Sequence, residues 1–416
     1  MERTGSGQAL PRRRFLKQAG AVALGIPYII TSEALGAPGR PSISDRIFMG
    51  GIGMGGRGRS DLGSFMGHGV VQAIAVCDVR KGSRNAAKSD VDKKYGNKDC
   101  TTYTDFNDLL ARDDIDAVLV ATPDHWHGLT TIAACRSGKD VFCEKPLSLT
   151  IRQGRAMVEA ARRFGCVFSS GSQRVMGDYG RQAQYVASGA IGTIQEVHVS
   201  VGGPSRPCNL PGEPVPDDID WDRWLGPAPW APYNRNRCSG AYGLGGHGWR
   251  TWYDYSGGMM TDWGGHNFGG AMYGAQLDET GPVEVIPPDG KEHKRLTYVF
   301  ANGIRMYRGG GQGAITYKGT LGQSPGPQRE RPGKDPLRRY KGRGGIGGDF
   351  LHCVKTRERP FRDVEYGHRV ATVCHLGNIA FLLKRPLKWD PVKEVFVGDD
   401  EANRMLDRPK REPWRL

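Results

Sequence analysis

The stretch Arg46-Ile47-Phe48-Met49-Gly50, followed at once by Gly51-Ile52-Gly53-Met54-Gly55-Gly56, decides the fold. The first five residues read as a buried strand and the glycines as the tight turn that leaves it. Arg57-Gly58 then opens a helix. Glycine is needed in such a turn because the backbone must bend sharply and approach a pyrophosphate, whose charge rests on the helix N-terminus. A chain with 61 glycines offers such patterns by chance, so context decides. A second strand, Val70 to Cys77, ends at Asp78, 22 residues after Gly56. That is close to the spacing of an acid that binds a ribose. Asp78 favours NAD, because a carboxylate accepts from ribose hydroxyls and repels a 2′-phosphate. Arg80, Lys81 and Arg84 follow and leave NADP open.

Working outward, Asp116 to Ala121 is an almost continuous apolar run, as a strand covered on both faces requires. It ends in Thr122-Pro123-Asp124-His125-Trp126-His127. A helix over 128–138 follows, then a strand over 140–143 that delivers Glu144-Lys145-Pro146. A further strand, Cys166 to Ser170, leads to Gln173 and Arg174. Strand and helix alternate throughout. The prediction is an α/β chain whose N-terminal domain, 42–170, is a Rossmann-type doubly wound parallel sheet. A lysine at a strand's carboxyl end is where a general acid/base stands over a bound cofactor. The rest, 171–416, is expected to be an α+β domain for substrate binding and oligomerisation. Ile194–Val201 and Val283–Ile286 read as its strands, and 309–348 reads as a long loop.

The glycine-rich turn, Thr-Pro-Asp-His-x-His at 122–127 and Glu-Lys-Pro at 144–146 together resemble the Gfo/Idh/MocA oxidoreductases. The tail, with Trp389-Asp390-Pro391, Phe396-Val397-Gly398-Asp399 and Glu412-Pro413-Trp414, is similar to an exported bacterial branch of that family. The resemblance implies a large open, mostly antiparallel sheet in the second domain, used for homo-oligomer formation. The expected cofactor residues are Gly51, Gly53, Gly56, Arg57, Asp78, Arg80, Thr122, Pro123, His127, Glu144, Lys145 and Gln173. Asp262 and His266 are spaced i, i+4 and share one face of a helix. Taken alone they read as a surface pair, or as two metal ligands with His247 as a third; no metal is expected. The resemblance instead joins Lys145, Asp262 and His266 into a catalytic group. His266 takes a hydroxyl proton, Lys145 hydrogen-bonds the same oxygen, and Asp262 orients the pair or binds a neighbouring hydroxyl. Arg174, Arg250 and Tyr253 are weaker substrate candidates. Trp221, Trp224, Trp230, Trp249 and Trp252 crowd one Gly/Pro-rich region, where indoles either stack on sugar rings or fill a core.

A length of 416 residues suits two domains. The net charge is +14, but the basic residues are scattered, so a solvated basic surface or an acidic glycan ligand is expected rather than nucleic acid. There are nine cysteines and no C-x-x-C. Cys77 and Cys143 read as buried thiols. Cys208 and Cys238 flank a Pro-rich loop and leave a disulfide open. Cys353 and Cys374, each beside a histidine, read as packing. At the N-terminus, Arg12-Arg13-Arg14-Phe15-Leu16-Lys17 precedes an uncharged stretch of 13 residues, Gln18 to Ile30. That is too short to cross a bilayer and has the length of a signal core. It resembles a twin-arginine export signal over 1–37, read by the twin-arginine machinery and leading to the periplasm or beyond. An exported enzyme cannot draw on free nicotinamide, so tight retention of the cofactor is expected. The leading expectation is a nicotinamide-dependent oxidoreductase acting on a secondary hydroxyl of a sugar or cyclitol. An NAD-assisted glycosidase or lyase is the alternative, and a non-catalytic ligand-binding protein the third.

Overall fold

The computed structural model describes residues 42–240, 248–327, 333–334 and 336–415. The expected export signal and His247 lie outside the described residues. A short 3-10 turn, Ile43–Asp45, belongs to a separate N-terminal unit. Both sheets lie in the unit that begins at Ile47.

The first sheet contains β1 (Ile47–Ile52), β2 (Val71–Cys77), β3 (Thr101–Tyr103), β4 (Ala117–Val120), β5 (Asp140–Cys143) and β6 (Phe168–Ser170). All pair in parallel, in the order β3-β2-β1-β4-β5-β6. The connecting helices are α1 (Gly56–Met66), α2 (Lys81–Tyr95), α3 (Phe106–Leu110), α4 (Asp124–Arg136) and α5 (Ile151–Arg163). Val118, Leu119 and Val120 are fully buried, because helices cover both faces of β4. Strand order reverses between β1 and β4, which opens a crevice at the carboxyl ends of the strands.

The second sheet contains β7 (Ile194–Val199), β8 (Pro282–Ile286), β9 (Thr297–Phe300), β10 (Arg305–Arg308), β11 (Ile315–Gly319), β12 (Gly322–Ser324), β13 (Leu387–Asp390) and β14 (Val395–Phe396). The order is β12-β11-β7-β10-β9-β8-β13-β14. Neighbours are antiparallel except β7 and β10, which run parallel. Its helical segments are α6 (Gly180–Ala187), α7 (Trp221–Leu225), α8 (Arg235–Cys238), α9 (Met259–Asp262), α10 (Gly264–Gly274), α11 (Gly345–Thr356), α12 (Val364–Leu383) and α13 (Asp400–Arg404). One face of the sheet presents Val197, Val199, Tyr298, Met306 and Tyr317 to Phe268 and Met272 of α10 and Cys374 of α12. The approach of α10 is close: a Cβ on Gly274 would stand 2.3 Å from the Tyr317 hydroxyl.

Two expectations need correction. The long loop expected over 309–348 contains an edge hairpin, β11 and β12, because Ile315 and Tyr317 alternate into the core. Farther along, Arg338 is fixed in place, bonded to Asp278 at 2.6 Å and lying 3.8 Å from the centroid of Tyr366. Nor does the chain after 170 stay with the second sheet. Phe350 of α11 packs edge-on against Phe65 and Phe142, at 6.0 and 5.7 Å between centroids, inside the core of the first sheet. Val364 and Ala371 of α12 join that sheet's other face.

Candidate active site

A cleft of about 900 Å³ opens at the crevice between β1 and β4. Its floor is the glycine turn, and the structure moves the glycine frame two residues along. Gly51 is inside β1, where a Cβ would meet the Met54 sulfur at 2.8 Å, and it does not line the cleft. The turn itself is Gly53, with φ +82° and no room for a side chain: its Cβ would stand 2.5 Å from the Thr122 nitrogen. At Gly55 and Gly56 a Cβ meets nothing within 4 Å, so the backbone there is open to the cleft. Gly58 permits the close crossing of α1 over the turn, since its Cβ would fall 2.1 Å from the Gly53 carbonyl. The roles of tight turn, ligand approach and helix packing thus belong to Gly53, Gly55 and Gly58.

Asp78 follows β2 and lines the cleft. Burial pushes its carboxyl up to about 6, opposed by hydrogen bonds from the amides of Arg80 and Met54. The basic residues beside it are engaged. Arg80 pairs with Asp218 at 3.1 Å, and Arg84 donates to the Asp78 carbonyl at 2.6 Å. Arg57, at the start of α1, is shared between Glu144 and Asp61, each at 2.8 Å. Burial and the neighbouring Glu144 charge raise the Asp61 carboxyl. Thr122, Pro123, Glu144 and Gln173 also line the cleft. Buried side-chain atoms of Thr122 (Oγ1), Thr130 (Oγ1), Gln173 (Oε1) and Trp414 (Nε1) have no hydrogen-bond partner, and all four residues line it. Open glycines over a helix N-terminus, an acid after β2 and unmatched polar atoms fit a dinucleotide, which brings phosphates, hydroxyls and a carboxamide.

Lys145, Asp262 and His266, distant in sequence, meet at one side of this cleft. The β5 end carries Lys145, whose Nζ bonds Asp262 Oδ1 at 2.7 Å. Arg250 Nε reaches the same oxygen at 3.2 Å, and its guanidinium lies 4.2 Å from the centroid of Trp249. Asp262 ends α9 and His266 lies in α10, with Trp263 between the two helices. The expected single helix is therefore broken. His266 is 4% exposed, and Ser172 Oγ stands 3.0 Å from its Nδ1. The same hydroxyl donates to the Gly265 carbonyl at 3.0 Å. A hydroxyl has one proton, so Nδ1 carries the ring hydrogen and Nε2 keeps its lone pair. Burial first, then the charges of Lys145 and Arg174, push the imidazole down to about 2; Asp262 opposes them. The ring is neutral across the physiological range. Behind Asp262 lies Asp124, 1% exposed, which accepts from Ser256 at 2.8 Å. Burial and then the Asp262 charge push its carboxyl up to about 7.

Some expected residues lie elsewhere. His127 is buried outside the cleft, with Nδ1 2.8 Å from the Pro146 carbonyl and Nε2 2.9 Å from that of Thr122. Both nitrogens face carbonyls, and the buried, neutral ring donates its one N–H to one of them, so the side chain links the β4 and β5 turns and is not turned toward the cleft. Tyr253 packs under Arg408, 3.7 Å from ring centroid to guanidinium, away from the cleft. Arg174 lines the cleft, paired with Asp178 and 5.0 Å from the centroid of Trp263. Among the crowded tryptophans, Trp221 and Trp224 stack at 4.9 Å in a small core, while Trp230 is 69% exposed. Only Trp224 and Trp249 of the five line the cleft. Cys208 and Cys238 are both free thiols, so no disulfide forms. Among the described residues no group of three His, Cys, Asp or Glu side chains could hold a metal. Ser172, Asp124, Phe106, Trp263 and Trp414 were not anticipated. Asp124 had a signal in its place inside the Thr-Pro-Asp-His segment and Trp414 in the Glu412-Pro413-Trp414 motif; the others are brought in by tertiary contact.

The chain is similar to several known proteins. A glycosyl hydrolase family 109 protein from Shewanella sp. (strain W3-18-1) is 33% identical over 173 residues, 36% of this chain. The chain covers only 37% of that relative's length. Myo-inositol 2-dehydrogenase from Lactobacillus plantarum has a similar fold, with a TM-score of 0.56 at 19% identity over 82% of this chain and 99% of that one. Levoglucosan dehydrogenase, solved with NADH and levoglucosan, gives 0.56 at 17% identity over 85% and 100%. The NAD-binding Rossmann model of the oxidoreductase family matches residues 47–172, and its C-terminal alpha/beta model matches 205–416. The chain therefore belongs to the Gfo/Idh/MocA oxidoreductase family.

Proposed function

We propose that the enzyme oxidises a secondary hydroxyl of a sugar, cyclitol or related glycan unit, and that it retains its nicotinamide through the cycle. The observation that carries this reading is the 2.7 Å pair between Lys145 and Asp262 beside a neutral His266 on the wall of a nucleotide-sized cleft. Gly53, Gly55, Arg57, Asp78, Thr122, Glu144 and Gln173 would hold the dinucleotide, which supplies a hydride acceptor when bound. The protein's own residues handle the proton. His266 Nε2 accepts from the substrate hydroxyl. Lys145, fixed by Asp262, donates to the same oxygen as charge develops. Arg250 balances Asp262, so that Lys145 is oriented without being wholly neutralised. An imidazolium at His266 would face Lys145 and Arg174, so the proton is passed on or handed back quickly. That suits a cycle in which the hydride returns to the same or a second substrate.

NAD is the favoured cofactor, because Arg80 is tied to Asp218 and Arg84 to a backbone carbonyl, leaving Asp78 to face the ribose. Export through the twin-arginine route rests on Arg12-Arg13 and the segment after them. Retention of cofactor follows from export. A homo-oligomer through the second sheet rests on its open face, where Arg305 and Lys318 are exposed and Glu196 is half-buried between them. The test is to purify the protein without added cofactor, denature it and assay the supernatant for NAD(H) and NADP(H). Bound nucleotide at near one per chain is expected; none would overturn the retained-cofactor reading.

A second reading is supported by the glycosyl hydrolase relative. Oxidation of a hydroxyl makes the neighbouring C–H acidic and permits elimination of a leaving group; in a glycosidase water then adds to the resulting double bond, and return of the hydride closes the cycle. Chromogenic glycosides separate the two readings: chromophore release without net NADH favours the glycosidase, and NADH accumulation without release favours the dehydrogenase.

A further inference from the structure

One wall of the cleft is built of aromatic rings. Phe106 begins α3, on the β3 side of the sheet, and meets Trp126 edge-on at 5.6 Å. Trp126 meets Trp414 edge-on at 4.8 Å and donates from Nε1 to the Trp224 carbonyl at 3.0 Å. All four rings line the cleft. Trp414 comes from the last residues of the chain, and its indole N–H is buried without a partner.

Two clasps hold this wall. The segment 218–227, which carries Trp224, is sewn at one end to the loop after β2. There Lys81 N donates to the Asp218 carbonyl at 2.7 Å, Asp220 N to the Val79 carbonyl at 3.0 Å, and Arg80 pairs with the Asp218 side chain. At the other end it is held by Arg411. That guanidinium donates to Asp222 Oδ1 at 2.6 Å, to the Asp222 carbonyl at 2.9 Å and to the Gly226 carbonyl at 3.0 Å. The Arg411 amide adds a bond to the Pro227 carbonyl at 3.0 Å. Gly226 has φ +49°, and a Cβ there would overlap the Trp126 ring at 2.1 Å, so the strap lies directly on the indole.

We propose that the C-terminal tail, Arg411 to Arg415, is a latch that keeps the dinucleotide in its cleft. Trp414 closes the aromatic wall and presents its N–H to an acceptor on the cofactor, and the Arg411 clasp keeps the 218–227 strap shut. A dinucleotide entering or leaving past this wall has to break a many-bonded guanidinium contact, which slows exchange in both directions, and a bond from Trp414 to the bound cofactor adds to the barrier for release. The proposal rests on the retained-cofactor reading above and adds the part of the chain responsible for it.

The experiment measures release, not turnover. Full-length wild type, Trp414→Ala, Trp414→Phe and Arg411→Gln are loaded with radiolabelled NAD and chased with excess unlabelled NAD. Thermal melts of the nucleotide-free proteins check that each variant is folded. Release should quicken about tenfold or more for Trp414→Ala and Arg411→Gln, and by less for Trp414→Phe, which keeps the ring and loses the N–H. Should Trp414→Ala fail to fold, Trp414→Phe and Arg411→Gln carry the test. Equal release rates for wild type and the folded variants, with wild type retaining label, overturn the latch and leave the retained-cofactor reading standing. A wild type that carries no nucleotide from purification and also holds no label overturns both.

Discussion

Two walls of the cleft are built from different materials. On one, Lys145, Arg250 and Asp262 form a group of charges, backed by the raised carboxyl of Asp124, around the neutral ring of His266. On the other, Phe106, Trp126 and Trp414 meet by ring edges, and Trp224 joins them through the carbonyl that accepts from Trp126. Buried charges are costly, and they persist where the chemistry needs them. Aromatic surface contributes to folding while giving a ligand something to lie on. One wall is therefore organised for reaction at the expense of stability, and the other for grip. Substitutions at the first should change turnover and leave occupancy alone. Substitutions at the second should do the reverse.

The sharpest test of that division is Lys145→Ala. Turnover should fall by about 10²–10⁴-fold, the range for loss of an acid/base or oxyanion contact. Nucleotide content of the purified variant should match wild type. A variant turning over at the wild-type rate, or one that is empty, would break the comparison from the reactive side. Next is the cost of the buried carboxyl. In the unfolded chain Asp124 titrates near 4, whereas in the fold burial holds it at about 7. Below about pH 4 both states are protonated, and the group's contribution is fully present. As pH rises toward 7 only the unfolded state ionises, so that contribution is lost. Asp124→Asn should therefore flatten the decline in stability between pH 4 and 7, by roughly 2–4 kcal/mol. Urea midpoints at pH 5 and 8 measure it, and an unchanged pH slope would remove Asp124 from the argument.

On the gripping side, Asp78→Ala should weaken NAD binding by about 10–100-fold, the worth of a charge-assisted pair of hydrogen bonds. Turnover at saturating NAD should be largely kept. Calorimetric titration reads the first and steady-state rates the second; a loss of kcat with unchanged affinity would reverse the assignment. The smallest expected effect is Ser172→Ala. Without the hydroxyl the His266 ring loses its tautomer lock, and kcat should drop by about tenfold. The acidic limb of the kcat–pH profile should move as well. Rescue by Ser172→Thr supports the lock, whereas an unmoved profile in Ser172→Ala with no rescue by Ser172→Thr would show that the serine only packs.

The parallel sheet was legible because its strands are short apolar runs that helices cover on both sides, as in Ala117–Val120, and because each ends in a residue of distinct type. The glycine frame was misread for a specific reason: Gly51-x-Gly53-x-x-Gly56 and Gly53-x-Gly55-x-x-Gly58 both satisfy the pattern, and only backbone geometry tells them apart. The second sheet was harder. Strands such as Thr297–Phe300 and Arg305–Arg308 are four residues long, too short for alternation to rise above chance. Lys145, Asp262 and His266 could be named because each sits in a local motif. The roles of Ser172 and Trp414 could not, since they arise from contacts with Gly265 and Trp126, about 90 and 290 residues away in the chain. His127 misled because a histidine beside a motif looks like a ligand, while its two nitrogens face carbonyls.

The return of α11 to the first sheet has a consequence for biosynthesis. Phe350 packs against the Phe65–Phe142 pair. As the polypeptide leaves the ribosome, the nucleotide-binding half emerges with that pair uncovered and waits for α11 to follow. A nascent chain stalled before α11 should thus expose apolar surface to chaperones and proteases, and the two sheets should melt in a single cooperative transition.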